Sequence, residues 1–123
     1  MREARLPSAT DLRAAFLACL RAHEACEAAV AHALRAQEGK ALNERVGALL
    51  DCADVCRTTA RHIRYGSPLL RGTASVAAEL CERAAEACLA LARSPALQTW
   101  AEACRRGAAC CRQLADIPLE RAA

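Results

Sequence analysis

Glu79-Leu80-Cys81-Glu82-Arg83-Ala84-Ala85-Glu86-Ala87-Cys88 places two cysteines seven positions apart in alanine-rich sequence. Seven residues is nearly two whole helical turns, so such a pair drifts only about 20° around the axis. Both thiols therefore face one way. Cys19 and Cys26 share this spacing, as do Cys104 and Cys111, while Cys52 and Cys56 are four apart. A spacing of four stacks two side chains on one face, one turn above the other. Eight of the nine cysteines thus fall into four helical pairs. If the four directions converge, the result is a thiol-lined interior, which few functions other than soft-metal binding require.

Composition narrows the field. A chain of 123 residues suits one domain, 1–123. Alanine supplies 32 residues, and Phe16, Tyr65 and Trp100 are the only aromatics. That is helix-forming material with a narrow core, poorly suited to strands. The 17 Lys and Arg are interleaved with 14 acids for a net charge of +3. A nucleic-acid partner is not expected, because there is neither a basic footprint nor an aromatic stacking platform. No apolar run approaches the ~18 residues of a membrane span, so no membrane partner is expected either. The N-terminus reads without an export signal, so a cytosolic chain is expected. There thiols stay reduced, and a metal or redox role outranks a disulfide framework.

The chain punctuates its own helices. Ser8 or Thr10 can cap a first helix that runs to Gly39, and a second stops at Gly66. Ser67-Pro68 and Ser94-Pro95 each offer an N-cap followed by proline at the first helical position. The helices expected are about 8–38, 40–65, 68–93 and 95–115. Short connections between long helices imply an all-α, antiparallel up-down-up-down four-helix bundle.

Inward stripes follow from the 3–4 spacing. They run Leu12, Phe16, Cys19, His23, Cys26, Val30, Ala33; then Leu49, Cys52, Cys56, Thr59, Ile63. The third is Leu70, Ala74, Ala77, Cys81, Ala84, Cys88, Leu91, and the fourth Leu97, Trp100, Cys104, Gly107, Cys111, Leu114. Cys110 falls beside its stripe, as do His32 and His62, which read as surface positions. At about 1.5 Å per residue, counting from the turns sets Cys26 level with Cys52, Cys19 close to Cys56, and Cys52 level with Cys81. Cys104 and Cys111 lie near that height, so the thiols cluster in the middle turns.

Buried cysteine alone behaves as a small hydrophobe. Eight converging from every helix ask for more. Thiolates favour Cu(I), zinc and iron–sulfur clusters. Structural zinc and iron–sulfur sites usually draw on C-x2-C pairs, and this chain has none. Pairs on rigid helices suit a d10 ion content with two or three thiolates, bridged into one core, which points to Cu(I). The candidate ligands are Cys19, Cys26, Cys52, Cys56, Cys81, Cys88, Cys104 and Cys111, with His23 between two of them on its stripe.

Leu49-Leu50-Asp51-Cys52-Ala53-Asp54-Val55-Cys56-Arg57, the Ser67-Pro68-Leu69-Leu70 helix start, the Glu79–Cys88 stretch and Ala101-Glu102-Ala103-Cys104-Arg105-Arg106-Gly107 together resemble the bacterial four-helix-bundle copper-storage proteins. The likeness extends from about Leu12 to Leu114, and the C-A-x-x-C phrasing of the second helix is its most specific element. It implies a bundle whose core cysteines bind many Cu(I) ions, in a chain of the cytosolic type that assembles as a homo-oligomer, commonly a tetramer; no catalysis is expected, because no acid–base pair or Cys–His nucleophile constellation separates itself from the metal reading. Thr59, Ala77, Ala84, Trp100 and Gly107 stand where further thiols would extend the stripes. The expectation is therefore a cysteine-depleted member with one compact cluster, Trp100 packing at one of those positions. The chain would sequester, buffer or store copper. The rivals are a zinc or iron–sulfur bundle, a thiol redox protein using Cys110 and Cys111 near Arg105, Arg106 and Arg112, and a metal-free interaction module.

Overall fold

Four helices account for nearly all of the described residues, 6–36, 40–91 and 93–116, of a computed structural model. They are α1 (Ala9–Ala36), α2 (Lys40–Tyr65), α3 (Leu70–Leu91) and α4 (Pro95–Ala115), and no strand occurs among the described residues. Each helix packs along its chain neighbours, α4 closes the ring against α1, and the diagonal pair α1 and α3 barely touch. The result is the up-down-up-down bundle that the punctuation predicts.

The ends form for local reasons. The Ser8 hydroxyl accepts from Asp11 N–H at 3.0 Å, and the Asp11 carboxylate accepts from Ser8 N–H at 3.0 Å. This reciprocal box satisfies two donors that the first turn would otherwise orphan. At the far end of α2, Gly66 sits at φ 65°, Ser67 N–H donates to His62 carbonyl at 2.9 Å, and Gly66 N–H donates to Ile63 carbonyl at 3.4 Å. That Schellman geometry needs a residue without Cβ at the left-handed position. The Gly39 stop lies outside the described residues.

Ser94 caps α4 as its sequence implies, accepting from Leu97 N–H at 3.1 Å with Pro95 in the first turn. Ser67 behaves differently. Its hydroxyl accepts from Leu69 N–H at 3.1 Å and its carbonyl from Leu70 N–H at 3.2 Å. These tight bonds draw Pro68 and Leu69 into a turn, so α3 begins at Leu70 and not at residue 68.

Among the described residues the interior is made almost wholly of Ala and Cys, with Leu49, Leu97 and Leu114 the only fully buried leucines. Side chains this small let helix axes approach to the short end of the usual spacing, about 8 Å. Gly107 marks the tightest place: a Cβ there would lie 3.1 Å from both Ala22 Cβ and Cys81 Sγ. Around Gly47, in contrast, there is open space. Gly47→Ala is therefore expected to stabilise the fold by about 0.5–1 kcal/mol through helix propensity. Gly107→Ala should forfeit that gain and destabilise by about 1 kcal/mol, because α1 would have to move aside. Urea unfolding of the two variants checks the contrast.

Candidate metal centre

Each helix delivers two thiols to the axis. Cys19 and Cys26 come from α1, Cys52 and Cys56 from α2, Cys81 and Cys88 from α3, Cys104 and Cys111 from α4, and all eight are fully buried. All are free thiols. Cys110 is half-buried beside them, as its place off the stripe predicts.

The sulfurs meet edge to edge. Cys19 lies 3.4 Å from Cys111, Cys56 lies 3.3 Å from Cys81, and Cys52 lies 3.6 Å from Cys81 and 3.8 Å from Cys56. Cys26 lies 3.7 Å from Cys104. Cys19 also neighbours Cys56, and Cys88 neighbours Cys104, so the eight thiols form one connected set. Two groups of three close on themselves. Within Cys26, Cys52 and Cys104, and within Cys52, Cys56 and Cys81, all sulfurs lie within 4.8 Å of one another. The sequence-derived heights are realised: Cys52 sits with Cys26 on one side and Cys81 on the other.

Packing thiols this way shifts their acidity in opposite directions. Cys26 is pushed far up by its bonds to Cys104 and Cys52, then by burial. Cys81 is pushed up by Cys52 and Cys56, and Cys19 by Cys111 and Cys56. Cys88 is raised by Cys104. The charge that forms is drawn to the acceptors of these bonds. Cys56 is lowered by Cys19, Cys52 and Cys81, Cys52 by Cys104, Cys26 and Cys81, and Cys111 by Cys19. A metal-free array thus holds most of its protons and spreads little charge, as a buried site of low dielectric requires.

His23 stands apart from the thiols. Its Nδ1 donates to the Ala53 carbonyl at 2.7 Å and its Nε2 lies 3.3 Å from Glu27, leaving the side chain 18% exposed. It belongs to neither group of three. His32 and His62 are half-buried and not free on the surface: His32 meets Trp100 edge-on, with ring centroids 6.0 Å apart, and His62 Nδ1 lies 3.0 Å from Thr73 Oγ1.

The positions that interrupt the stripes are filled in distinct ways. Thr59 is fully buried and donates to the Val55 carbonyl at 2.7 Å, which returns its hydroxyl to its own helix. Ala77 and Ala84 are fully buried, and at Gly107 even a Cβ would press on its neighbours at 3.1 Å. Trp100 departs from expectation. It is half-buried against the edge of the core, because an indole is too large for an interior lined by alanine. The Gly107–Ala22 approach is a feature that spacing alone does not reveal. Its signal is a glycine on an inward stripe, and its partner helix is known only from the packing.

Eight fully buried free thiols brought together from four helices are the feature of a four-helix bundle suited to soft metal ions. The family model described as copper storage protein matches residues 8–116. The chain belongs to the copper storage protein family. Its fold is similar to that of the Cu(I)-bound copper storage protein BsCsp3, with a TM-score of 0.76 and 24% identity over 85% of this chain and 98% of that one. No curated protein sequence matches.

Burial alone separates the cysteines chemically. Treating the reduced, folded apo-protein with a maleimide should modify Cys110 first, while the other eight react only as the bundle opens. Peptide mass mapping over time reads the order.

Proposed function

We propose that this chain stores Cu(I) as a cluster held by the thiolates of Cys19, Cys26, Cys52, Cys56, Cys81, Cys88, Cys104 and Cys111. The observation that carries it is the connected set of fully buried free thiols drawn in pairs from all four helices. The donor set is soft throughout, which favours Cu(I) over ions that prefer oxygen or nitrogen. The tight groups are threes that share a corner, a pattern for three-coordinate ions with bridging thiolates. Structural zinc instead takes a closed tetrahedron of four.

Charge balance supports the same ion. A thiol proton and Cu(I) each carry one positive charge, so exchanging one for the other leaves the buried array no more charged than before. A divalent ion offers no such one-for-one exchange. The Ala53 bond holds His23 through Nδ1, so His23 can enter the ligand set only through Nε2, at the cost of its contact with Glu27. The function is holding and releasing ions, without turnover of a substrate, and thiols kept free in this way suit a reducing, cytosolic compartment. No helix among the described residues is long and apolar enough to cross a membrane.

Anaerobic titration of reduced apo-protein with Cu(I) against a competing chelator tests the proposal. Several tightly held ions per chain are expected, and tight uptake of less than about one ion per chain would sink it. The pH dependence has a definite sign. Cys19, Cys26, Cys81 and Cys88 are held protonated by their neighbours and by burial, so metal must displace their protons. Apparent affinity should therefore be higher at about pH 8 than at about pH 6. The same competition assay run in two buffers measures it.

A further inference from the structure

We propose that the tip between α2 and α3 is a docking surface for an anionic lipid bilayer, with Tyr65 and Leu69 set among the headgroups and Arg61 and Arg64 against their phosphates. The surface lies apart from the thiols, and its first mark is exposure. Tyr65 at the end of α2 is 77% exposed, the most of any large apolar side chain among the described residues, and Leu69 in the turn is 64% exposed. Gly66 and Pro68 beside them are exposed as well. Leu6, which precedes α1 at the same end of the bundle, is 54% exposed. Apolar groups held out at one end of a bundle mark a place where water is to be displaced.

Charge at this end is predominantly positive. From Val55 to Ala78 the chain carries Arg57, Arg61, Arg64 and Arg71 and no acid. Arg61, Arg64 and Arg71 make no ion pair among the described residues. The other two helix ends here bring Asp11 and Asp116 against Arg13 and Arg112, so arginine still prevails. The Asp11 carboxylate already accepts from Ser8 N–H, and Arg112 pairs with Glu82. An arginine close to an anionic membrane surface strengthens attachment about fivefold.

Shape decides the class of partner. Tyr65 and Leu69 flank a tight turn, closed by the Ser67 bond to the His62 carbonyl and the Leu70 bond to the Ser67 carbonyl, so they project and do not line a groove. A protein partner would need a matching pocket to bury them. A headgroup layer yields around a projecting tip, and the tyrosine ring, apolar with a polar end, suits that boundary. A second copy meeting this one end to end would set arginine against arginine. Docking of this kind needs no spanning segment, and no helix among the described residues offers one.

The experiment is co-sedimentation of the whole reduced chain with vesicles of phosphatidylcholine alone and of equal parts phosphatidylcholine and phosphatidylglycerol. Wild type should sediment with the mixed vesicles only, and less as salt is raised. The double variant Arg61→Gln, Arg64→Gln should bind them about 25-fold more weakly. Tyr65→Ser with Leu69→Ser should bind about tenfold more weakly. Arg83→Gln with Arg105→Gln removes the same charge from the sides of α3 and α4 and should cost less than about threefold, because those sites stand away from the membrane. Far-ultraviolet circular dichroism checks the helices of each variant, and Tyr65→Ser alone replaces the apolar pair if that pair disturbs them. A wild type that ignores the mixed vesicles overturns the proposal, as do equal losses in the tip and side variants. Binding that depends on Arg61 and Arg64 but not on Tyr65 and Leu69 overturns it too, and would make the tip a site for an acidic protein segment.

Discussion

Sulfur atoms standing 3.3–3.8 Å apart along the axis set how closely the four helices approach and what the interior can hold. A thiol is little larger than a methyl group, and the residues around it are alanines, so the axis has room for sulfur and for little else. Larger side chains are few: among the described residues Leu49, Leu97, Leu114 and Thr59 are the fully buried ones that exceed cysteine in size. Where α1 meets α4 even a methyl would press on its neighbours, for Gly107 faces Ala22 and Cys81 directly. A close-packed interior of this kind and a dense set of soft ligands are one construction.

The same closeness governs the chemistry. Thiols that bond one another and are cut off from water keep most of their protons, while the little charge that forms settles where several S–H groups converge, on Cys52 and Cys56. A monovalent soft cation can replace those protons without adding net charge to the core. Surface charges take little part: the Arg83–Glu79 and Arg105–Glu102 pairs are exposed and lie far from the array in character, each contributing at most about 1 kcal/mol.

Much of this is legible in the sequence because helical spacing is rigid. Once Cys81 and Cys88 lie on a helix, their common direction follows, and so does that of each other pair. The bundle follows from Gly66, Ser94 and Pro95, whose local chemistry ends or begins helices in any context. Contacts between helices are less accessible, because they depend on how far each side chain reaches. His23 shares a stripe with Cys19 and Cys26, yet its ring extends to the Ala53 carbonyl and Glu27. Trp100 is periodic with Cys104 but too bulky for the axis. Ser67-Pro68 resembles Ser94-Pro95 in letters, but the bonds that close the preceding helix leave it in a turn. The corner shared by two thiol groups at Cys52 is not given by periodicity within one helix, since it needs the heights of all four helices at once, which counting from the turns supplies only coarsely.

Complete burial of the array separates how tightly an ion is held from how quickly it can leave. No Cys52 or Cys81 sulfur is reachable from solvent in the closed bundle, so an acceptor must wait for helices to part before a ligand exchange can begin. Residence time is then a property of helix motion, of the small-residue seams and of the capped ends, as much as of the metal–sulfur bond. A reservoir built in this way is gated by its own breathing.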